Sequence, residues 1–504
     1  MRLNDLWPND TWDEDTLNAM DDALSRIEIT GVTCDSRRVG PGYVFAALPG
    51  SKTDGRRFID DAVRQGAAAI IVPMDASDLP ALDIPVIREF DPRHRYAQLA
   101  AAFYGRQPAH IGAVTGTNGK TSVAWFARQL INTAGLPAAN AGTLGMLGTS
   151  ADGVQLAGIS GALTTPDPSD LHRDLAEIKS AGIDHLVIEA SSHGLDQRRL
   201  DGVRIRACAF TNLSRDHLDY HKTEDAYLTA KLRLFDTLTI DGGQAVVNMD
   251  ARFAEAFASA ARRRGLEVIT VGTSEGCQFR ILDAQPVASG LDLHIDIEGT
   301  RHDLQMPLIG SFQASNAMVA LALTSALGVS PARAVDGLAR LQAAPGRMQF
   351  CGAHESGAGI YVDFAHTADA LVTMLKAVRP HTRGRVHVVF GCGGDRDSGK
   401  RPEMGRAAVS HADVVIVTDD NPRTEDAADI RRQALAGAPG ATEIGNRHEA
   451  IRAAIDGLAE GDVLVIAGKG HERGQIVGDQ VLPFDDAEEV KSALQERGAG
   501  GAHG

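Results

Sequence analysis

The stretch His110–Gly135, HIGAVTGTNGKTSVAWFARQLINTAG, indicates the fold class of this 504-residue chain. An apolar run is followed by a glycine-rich turn and a segment of helical periodicity, which predicts strand, loop and helix. In the turn, glycines let backbone N–H groups converge, the helix N-terminus adds positive potential and a lysine supplies charge. Only two residues separate the first glycine from the Gly-Lys pair, whereas the Walker A pattern has four. The sequence predicts a nucleoside triphosphate site, with an ordinary strand–helix turn as the alternative, at Gly116, Thr117, Asn118, Gly119, Lys120, Thr121 and Ser122.

Apolar runs alternate with helical stretches along the rest of the chain. Strands are predicted at YVFAALPG, AAAIIVP, HLVIEA, ACAFTN, QAVVNM, LEVITVG, GIYVDFA, VHVVFGC, DVVIVTD and DVLVIAG. This alternation predicts an α/β fold with mostly parallel, doubly wound sheets. At about 150 residues per domain, the length suggests roughly three domains. We place an N-terminal domain at 1–108, a central P-loop-type ATPase domain at 109–344, a Rossmann-like C-terminal domain at 345–496 and a flexible tail at 497–504.

Composition narrows the class of protein. The five cysteines show no paired spacing, which argues against a disulfide framework or a zinc site and favours a reducing cytosol. The N-terminus lacks the pattern of a signal peptide, and no apolar run reaches membrane-spanning length. A net charge of −16 disfavours nonspecific nucleic-acid binding. We expect a cytoplasmic monomer that acts on small molecules, with no nucleic-acid partner and no membrane insertion.

Polar side chains follow two strands of the central segment. HLVIEASSHGLDQRRL places Glu189 at a strand end, and FTNLSRDHLDYH places Asp216, His217 and His221 after another. Ligands in open α/β sheets bind at these carboxyl ends. Glu189 and His217 are therefore candidates to hold Mg²⁺ near the phosphate loop. Each histidine taken alone is more often a surface or core residue.

VVIVTDDNPRTED, from Val414 to Asp426, changes from a buried strand to a charged turn at Asp419. GCGGDR and GKGHE follow other strands of the same segment, so all three loops are expected at one edge of a parallel sheet. Arginines there suit a carboxylate, and acidic residues suit an ammonium group. A surface Asp–Arg pair in a turn is the alternative. The candidate residues are Arg396, Asp420, Asn421, Pro422, Arg423, Gly468 and Glu472.

The ordered motifs resemble the Mur ligases, most closely the members that add the third residue of the peptide. The resemblance covers nearly the whole chain and rests on CDSRRVGPGYVFAALPGSKTDGRRFI, VTGTNGKTS, LTTPDP, EASSHGLDQRRL, TNLSRDHLDYH, AKLRLF, GRMQF, FGCGGDRDSGKRPEMG, DDNPRTED and AGKGHE. Any one of these motifs is modest evidence, whereas the ordered set is very specific.

The resemblance implies a function for each domain. The N-terminal domain would hold a uridine nucleotide, the central domain would be the ATPase, and the C-terminal domain would bring the amino acid diaminopimelate to its three loops. A plain turn is the alternative for Thr164 and Thr165. The residues implied to bind the UDP-muramoyl dipeptide are Cys34, Ser36, Ser51, Lys52, Thr53, Thr164, Thr165, Ser191, Gln197 and Arg199.

The resemblance also implies a modified lysine and metal ions. Lys231, within TAKLRLF, matches a lysine that the family carbamylates with CO₂; from the residues alone it is a solvated helix lysine. Mg²⁺ would be held by Thr121, Glu189, His217 and carbamylated Lys231, with Lys120, His217 and Lys231 in catalytic roles. Further ATP contacts are implied at Asn316, Arg347, Asp363 and His366.

The implied reaction is ATP-dependent amide formation between meso-diaminopimelate and the D-glutamyl carboxylate of UDP-N-acetylmuramoyl-L-alanyl-D-glutamate, in peptidoglycan precursor synthesis. A folylpolyglutamate-synthetase-like ligase is one alternative, but it should lack the uridine-binding N-terminal segment and the DNPR motif. A nucleotide-binding protein without ligase chemistry is another. Three residues depart from the family pattern: Gln313 replaces an asparagine, Phe364 a tyrosine and Ala368 a proline.

Overall fold

The computed structural model describes residues 1–3, 6, 27–50, 53–150, 153, 155–157, 163–214 and 216–500, with side chains to residue 497. The chain divides into two compact units, residues 1–270 with 322–330, and residues 271–321 with 331–504. The predicted site residues Ser51 and Lys52 lie outside the described residues. The predicted boundaries of three domains stay predictions. No described helix combines the length and the apolar content that crossing a bilayer requires.

The first unit begins with a small parallel sheet. Its strands, in spatial order, are β1 Gly31–Thr33, β2 Tyr43–Ala46, β3 Ala67–Pro73 and β4 Val86–Glu89. The helices beside it are α1 Ile59–Arg64 and α2 Pro92–Tyr104. Asp91 caps α2 by accepting a hydrogen bond from the His94 N–H at 3.0 Å, and Pro92 fits the first helical turn, where no N–H is needed. The strands predicted at YVFAALPG and AAAIIVP are confirmed.

A larger sheet follows in the same unit. Seven of its strands are β5 His110–Thr115, β6 Ala138–Gly142, β7 Gly145–Thr149, β8 Gln155–Ala157, β9 His185–Glu189, β10 Ile205–Phe210 and β11 Thr239–Asn248. The spatial order is β11-β10-β5-β9-β6-β7-β8; the pairs from β11 to β6 are parallel and the last two pairs antiparallel. In the register, Thr115 lies beside Phe210, and Val114 beside Glu189. The predicted strand ends therefore share one edge.

Helices connect these strands. They are α3 Lys120–Thr133, α4 Pro168–Ser180, α5 Ser192–Asp196, α6 Leu218–His221, α7 Glu224–Arg233 and α8 Ala254–Arg263. Side-chain oxygens cap several: Asp167 accepts from the Ser169 N–H at the start of α4, and Thr223 accepts from the Ala226 N–H at the start of α7. The strand, loop and helix predicted from His110 to Gly135 are confirmed.

The second unit contains three antiparallel strands that the sequence analysis does not identify. Strand β12, Glu267–Gly272, belongs to the first unit up to residue 270. Strands β13 Phe279–Val287, β14 Gly290–Ile297 and β15 Thr300–Met306 pair antiparallel in succession. Gly290 has a φ of 149°, and a Cβ there would lie 2.0 Å from the Met306 carbonyl oxygen. These strands read as alternating polar and apolar residues rather than as continuous apolar runs, which explains why they were missed. Helices α9 Phe312–Ala326 and α10 Pro331–Ala334 follow.

The rest of the second unit forms a mostly parallel sheet. Its strands are β16 Gln349–Ala353, β17 Gly359–Asp363, β18 Val386–Phe390, β19 Val414–Val417, β20 Thr442–Glu443 and β21 Val463–Ala467, in the order β16-β17-β21-β18-β19-β20. The register aligns Asp363 and Phe390 with Ala467, and Val417 with Phe390. The prediction that the three charged loops leave one sheet edge is confirmed. A hairpin of β22 Gly474–Val477 and β23 Gln480–Pro483 follows.

The helices of this sheet are α11 Ala368–Val378, α12 Lys400–His411, α13 Ala427–Leu435, α14 Arg447–Asp456 and α15 Asp486–Gly500. Buried faces of α11 and α12 contribute to one apolar cluster, and those of α14 and α15 contribute to another. The predicted flexible tail begins inside α15, and residues 501–504 lie outside the described part of the chain. The fold class, α/β with mostly parallel sheets, is confirmed.

A fully buried ion pair joins α14 to α15 behind the sheet edge. Arg447 donates from Nε and Nη2 to the two oxygens of Asp486 at 2.7 Å, and both side chains are 0% exposed. Removing one partner of such a pair leaves an uncompensated buried charge, which costs about 3–5 kcal/mol. We expect Asp486→Asn to lower the free energy of unfolding by that amount in urea titrations. Glu488→Gln, in an exposed pair with Lys491, should change it by less than about 0.5 kcal/mol. Equal losses in the two variants would contradict a stabilising role for the buried pair.

Candidate active site

The phosphate loop lies between β5 and α3. Gly116 has a φ of 152°, and a Cβ there would lie 1.9 Å from the Thr211 hydroxyl, so only glycine fits without a shift. Gly119, at φ 87°, is the last residue before the helix starts at Lys120. The N–H groups of the first turn of α3 therefore face the loop with the positive end of the helix dipole.

The segment after β10 supports this loop. Asn212 accepts hydrogen bonds from the Thr117 N–H through its carbonyl at 2.8 Å and from the Asn118 N–H through its side chain at 3.0 Å. The Thr211 hydroxyl donates to the Asn118 carbonyl at 2.6 Å. The loop is thus held by residues nearly a hundred positions away, which the sequence analysis does not name.

Lys120 folds back over the loop that precedes it. Its Nζ donates to the carbonyl oxygens of Gly116 and Thr117, each at 2.8 Å. The ammonium group therefore lies at the loop itself, where the negative charge of a bound phosphate would be neutralised.

Glu189, at the end of β9, is 1% exposed and directly contacts the start of α3. Its Oε2 accepts from the Thr121 hydroxyl at 2.9 Å, and its Oε1 accepts from the Thr143 N–H at 2.9 Å. A carboxylate and a hydroxyl this close are the hard oxygen donors that Mg²⁺ prefers. The structure therefore brings together two of the residues predicted to hold the metal.

Lys231 is a buried lysine beside the phosphate loop. It is 1% exposed on α7, and its Nζ donates to the Gly116 carbonyl at 2.8 Å and lies 4.5 Å from the centre of the Tyr227 ring. Burial, with the charge of nearby Lys120, holds the pKa of Lys231 well below its ordinary value. The interpretation of Lys231 as a solvated helix lysine, which its residue type suggested, is wrong because the side chain is buried.

His217 precedes α6 in a left-handed conformation, with φ 52°, and 47% of its side chain is exposed. Its ring centre lies 5.0 Å from that of His193, which in turn lies 5.5 Å from that of His221. Burial, together with the charges of the neighbouring histidines, lowers the pKa of His193. Within the described ranges no group of three His, Cys, Asp or Glu side chains is arranged to hold a metal ion. Mg²⁺ commonly uses one or two protein carboxylates together with substrate phosphates, and Glu189 beside Thr121 fits that pattern.

Five of the residues predicted to bind the UDP-muramoyl dipeptide form one hydrogen-bonded group with Glu189. Thr165 is 0% exposed, and its hydroxyl donates to the Glu189 carbonyl at 2.9 Å and lies 3.0 Å from the Ser191 hydroxyl. Arg199 donates to the Thr165 carbonyl at 2.9 Å and to the Gln197 side chain at 2.6 Å. The Thr164 hydroxyl lies 3.2 Å from that of Thr143. Thr165 therefore connects this segment to the end of β9 and to Ser191, and the binding role of Thr164 and Thr165 stays a prediction.

Cys34, directly after β1, and Tyr96, on α2, contact the same region. The Cys34 thiol lies 3.1 Å from an oxygen of Asp167, and Tyr96 donates to the other oxygen at 2.5 Å. Burial and the adjacent Asp167 raise the pKa of the Cys34 thiol. Ser36 begins a 3₁₀ helix, Ser36–Arg38, and the Thr53 carbonyl accepts from the Gly50 N–H at 3.1 Å. The structure thus connects Cys34 to the segment that carries Thr164 and Thr165.

The remaining predicted ATP contacts belong to the second unit. Asn316 donates to the Gln313 side chain at 3.0 Å, and both residues are buried. Asp363 accepts from the Met348 N–H at 2.8 Å and from the Ala365 N–H at 2.9 Å. His366 contacts the Phe364 carbonyl through Nδ1 at 2.7 Å.

The departures from the family pattern have local structural partners. Gln313 contacts Asn316, as described above. The Arg347 guanidinium lies 4.5 Å from the centre of the Phe364 ring, which is a cation–π contact that does not need a tyrosine hydroxyl. Ala368 is the first residue of α11 after the Thr367 cap, a position that either proline or alanine can occupy.

The three charged loops meet at the carboxyl edge of the second unit's sheet. Arg423, at φ 53°, donates from Nη1 to the Gly394 carbonyl at 2.7 Å, which connects DDNPR to GCGGDR. Asn421 donates to Glu472 Oε2 at 2.8 Å, which connects DDNPR to GKGHE. Gly468 has a φ of 115°, and a Cβ there would lie 2.6 Å from Asp420. Pro422 is buried against Gly394, whereas Arg396 is exposed.

Several residues with clear roles are absent from the sequence predictions. Lys469 is 0% exposed and contacts both Asn421 and Glu472. Gln475 donates to the Asp420 carbonyl at 2.7 Å. Lys469 lies within the motif AGKGHE, but the sequence of that motif does not predict that the lysine is buried.

Comparison with known proteins assigns the chain to a family. Residues 28–104 match the Mur ligase family catalytic domain, 114–324 the Mur ligase middle domain and 346–470 the Mur ligase glutamate ligase domain. A UDP-N-acetylmuramoyl-L-alanyl-D-glutamate–2,6-diaminopimelate ligase of Caulobacter vibrioides is 52% identical, over 93% of this chain and 96% of the relative. The chain belongs to the Mur ligase family. The family assignment predicted from the ordered motifs is confirmed.

Solved structures agree with this assignment. A UDP-N-acetylmuramoyl-L-alanyl-D-glutamate–2,6-diaminopimelate ligase shares 33% identity with this Mur ligase at a TM-score of 0.71, and the match covers 99% of both chains. A Mycobacterium tuberculosis folylpolyglutamate synthase complexed with ADP matches at a TM-score of 0.59 and 20% identity, over 75% of this chain and 91% of that one. The second likeness shows a shared fold alone.

Proposed function

We propose that this Mur ligase joins 2,6-diaminopimelate to the D-glutamyl side-chain carboxylate of UDP-N-acetylmuramoyl-L-alanyl-D-glutamate, with cleavage of ATP to ADP and phosphate. The observation that carries the proposal is the 52% identity, over 93% of the chain, to a relative of that name. The three charged loops of the second unit supply the chemistry for a zwitterionic amino acid. The stereoisomer proposed is meso, and the product is a peptidoglycan precursor.

The reaction needs an activated acyl group. A carboxylate is a poor acyl donor, because its leaving group would be oxide; transfer of the γ-phosphoryl group to its oxygen gives an acyl phosphate, whose leaving group is phosphate. The neutral amine then attacks the carbonyl carbon, and the tetrahedral intermediate releases phosphate and a proton. Because two anions must meet in the first step, neutralisation of charge is the main catalytic demand.

The first unit carries groups suited to that demand. Lys120 and the N-terminus of α3 would bind the phosphates, since both lie at the glycine loop. Thr121, Glu189 and His217 would hold Mg²⁺, together with Lys231 if its amine is carbamylated. Bound there, Mg²⁺ would supply positive charge that neutralises phosphate oxygens. In the second unit, Asn316, Arg347, Asp363 and His366 would contact ATP.

The dipeptide would bind beside Glu189. Thr164, Thr165, Ser191, Gln197 and Arg199 belong to one hydrogen-bonded group, whose guanidinium suits an anionic substrate. The uridine end of the substrate would lie near Cys34, Ser36, Ser51, Lys52 and Thr53. Arg396, Arg423 and Glu472 would bind the amino acid, with Asp420, Asn421, Pro422 and Gly468 forming the loops around it.

A panel of amino acids, assayed for ADP release in the presence of the UDP-muramoyl dipeptide, tests the function. ADP release should require both the dipeptide and diaminopimelate. ADP release that does not depend on the dipeptide would contradict ligation. ADP release with a folate and glutamate as substrates would favour the folylpolyglutamate synthetase alternative. The N-terminal match at residues 28–104 and the DNPR loop favour the muramoyl substrate.

Lys231→Ala is expected to fold normally but to retain less than about 1% of ligase activity, because the buried amine that would become the metal-binding carbamate is lost. A neutral amine adds to CO₂ through its lone pair and releases a proton, and the lowered pKa of Lys231 favours that neutral form. Bicarbonate should not restore the variant, whereas short carboxylic acids should restore part of its activity.

A second measurement does not depend on activity. Wild type in isotopically labelled bicarbonate should give a carbamate NMR signal that Lys231→Ala lacks. Lys179→Ala, which replaces a partly exposed lysine of α4, should keep both the signal and the activity. A fully active Lys231→Ala enzyme would refute the carbamate.

A further inference from the structure

Lys469 is a buried cation at the meeting point of the three charged loops. It lies between Gly468 and Gly470, whose φ angles of 115° and 57° are ones that side-chain-bearing residues rarely adopt. The two glycines let the backbone turn so that the lysine side chain is 0% exposed. Burial of an ammonium group is costly unless it is paired and hydrogen-bonded. Its partners therefore indicate what it is for.

Those partners are two residues of the proposed amino-acid site. Lys469 Nζ donates to Asn421 Oδ1 at 3.0 Å and to Glu472 Oε2 at 3.3 Å. The Ile476 N–H also donates to Asn421 Oδ1, at 2.9 Å. With two donors on its oxygen, the Asn421 amide has one orientation, and its nitrogen must face an acceptor. That acceptor is Glu472 Oε2, at 2.8 Å.

These hydrogen bonds leave the other carboxylate oxygen of Glu472, Oε1, available for a ligand. Oε2 accepts from both the Asn421 amide and the Lys469 ammonium, so the position of this oxygen is fixed. Oε1 has no hydrogen-bond partner among the described residues, and 39% of the side chain is exposed. A carboxylate held in this way presents one oxygen to a cation from solution.

The hairpin of β22 and β23 holds the backbone of Arg423 next to Asn421. The Arg423 N–H donates to the Ile476 carbonyl at 3.0 Å, the Gly478 N–H donates to the Arg423 carbonyl at 2.7 Å, and Gln475 donates to the Asp420 carbonyl at 2.7 Å. Strand β22 therefore holds both the backbone of Arg423 and the Asn421 amide that orients Glu472. A change in the Asn421 amide alters the geometry between the two charges.

We propose that Lys469 is a positioning residue for the amino-acid substrate: by fixing the Asn421 amide and Oε2 of Glu472, it makes Oε1 the acceptor for the substrate's ammonium group. This inference rests on the proposed function, because it requires an amino acid with an ammonium and a carboxylate at its distal end. Without Lys469, Oδ1 of Asn421 keeps the Ile476 N–H but loses one of its two donors, and the Glu472 carboxylate loses the cation that holds it.

The test separates positioning from general stability. Lys469→Met is expected to raise the KM for diaminopimelate by about 30-fold or more while changing the KM for ATP and for the UDP-muramoyl dipeptide by less than about threefold. In a Glu472→Gln background, adding Lys469→Met should change the KM for diaminopimelate by less than about threefold, because the two residues act as one unit. Lys491→Met, on the exposed face of α15, is the matched control and should change none of the three constants.

Other outcomes contradict the inference. A similar rise in all three KM values, or a multiplicative effect in the Glu472→Gln background, would show a structural role only. If Lys469→Met does not fold, Lys469→Gln, which keeps a hydrogen-bond donor without the charge, is judged by the same criteria, with an expected rise of about tenfold. A wild-type enzyme that does not use diaminopimelate would overturn the proposed function itself, whereas a normal wild type with unaffected Lys469 variants would overturn the positioning role alone.

Discussion

Lys120→Ala is expected to lower kcat/KM for ligation by about 100-fold or more. The ammonium group lies on the phosphate loop, 2.8 Å from the Gly116 and Thr117 carbonyl oxygens, and is the side-chain charge that the loop itself supplies. Removing one such electrostatic group from a site where charge develops costs about 2.7–4 kcal/mol. The measurement is ADP release with saturating dipeptide and diaminopimelate.

Two comparisons make this result specific to the loop. Lys179→Ala, in the last turn of α4, removes a lysine that pairs with Asp184 and should stay within about twofold of wild type. Thermal unfolding of Lys120→Ala should stay close to that of wild type, because the amine donates to partly buried carbonyl groups of the loop. If Lys120→Ala keeps more than a tenth of the activity, the phosphate-loop assignment fails.

The wild-type enzyme should use diaminopimelate and scarcely use lysine. Arg423→Ala should reduce the ratio of kcat/KM for diaminopimelate to kcat/KM for lysine. If Arg423 binds the distal carboxylate, lysine leaves the guanidinium without its carboxylate partner, which costs about 1–3 kcal/mol or more for a charged group. Sites that pair a polar substrate group can reject analogues without it by as much as roughly 10⁴-fold. The loss in Arg423→Ala should appear chiefly as a raised KM for diaminopimelate, measured alongside kcat/KM for both amino acids.

Substitutions at and near Arg423 refine the test. Arg423→Lys keeps the charge without the planar fork, so it should recover only part of the activity with diaminopimelate. Arg406→Ala removes an exposed arginine of α12 and should leave the ratio of the two amino acids unchanged. Arg423→Ala should not become a good lysine ligase, because Glu472, Asn421 and Lys469 still shape the loops. A ratio that is the same in wild type and Arg423→Ala would show that Arg423 does not bind that carboxylate.

Most of the fold was predictable because parallel strands buried on both faces read as continuous apolar runs. Strands β5, β9, β10, β18, β19 and β21 are such runs, and each lies where it was predicted. Strands β13, β14 and β15 were missed, since their half-buried faces alternate polar and apolar residues. The composition of a single stretch does not distinguish such a strand from an irregular surface segment.

Candidate residues at strand ends were predictable for the same reason. A charged turn after a buried strand is visible locally, and parallel strands place such turns at one edge. Glu189 and DDNPR were found in this way. Asn212, Lys469 and Gln475 were not, because their contribution is a hydrogen bond to a loop that is distant in sequence, as in the bond between Gln475 and the Asp420 carbonyl.

By itself the sequence determined the strand–loop–helix at His110–Gly135, the order of the motifs and the types of charge available at each strand end. The tertiary structure decided which of those charges are buried and what holds them. Lys231 lies in TAKLRLF and Lys469 in AGKGHE, stretches that do not by themselves predict a buried lysine, yet each side chain is at most 1% exposed. One lies under the phosphate loop with a depressed pKa, and the other is bound to Asn421 and Glu472. Desolvation depends on atoms brought together from separate strands, and this is why chain-local patterns do not contain it.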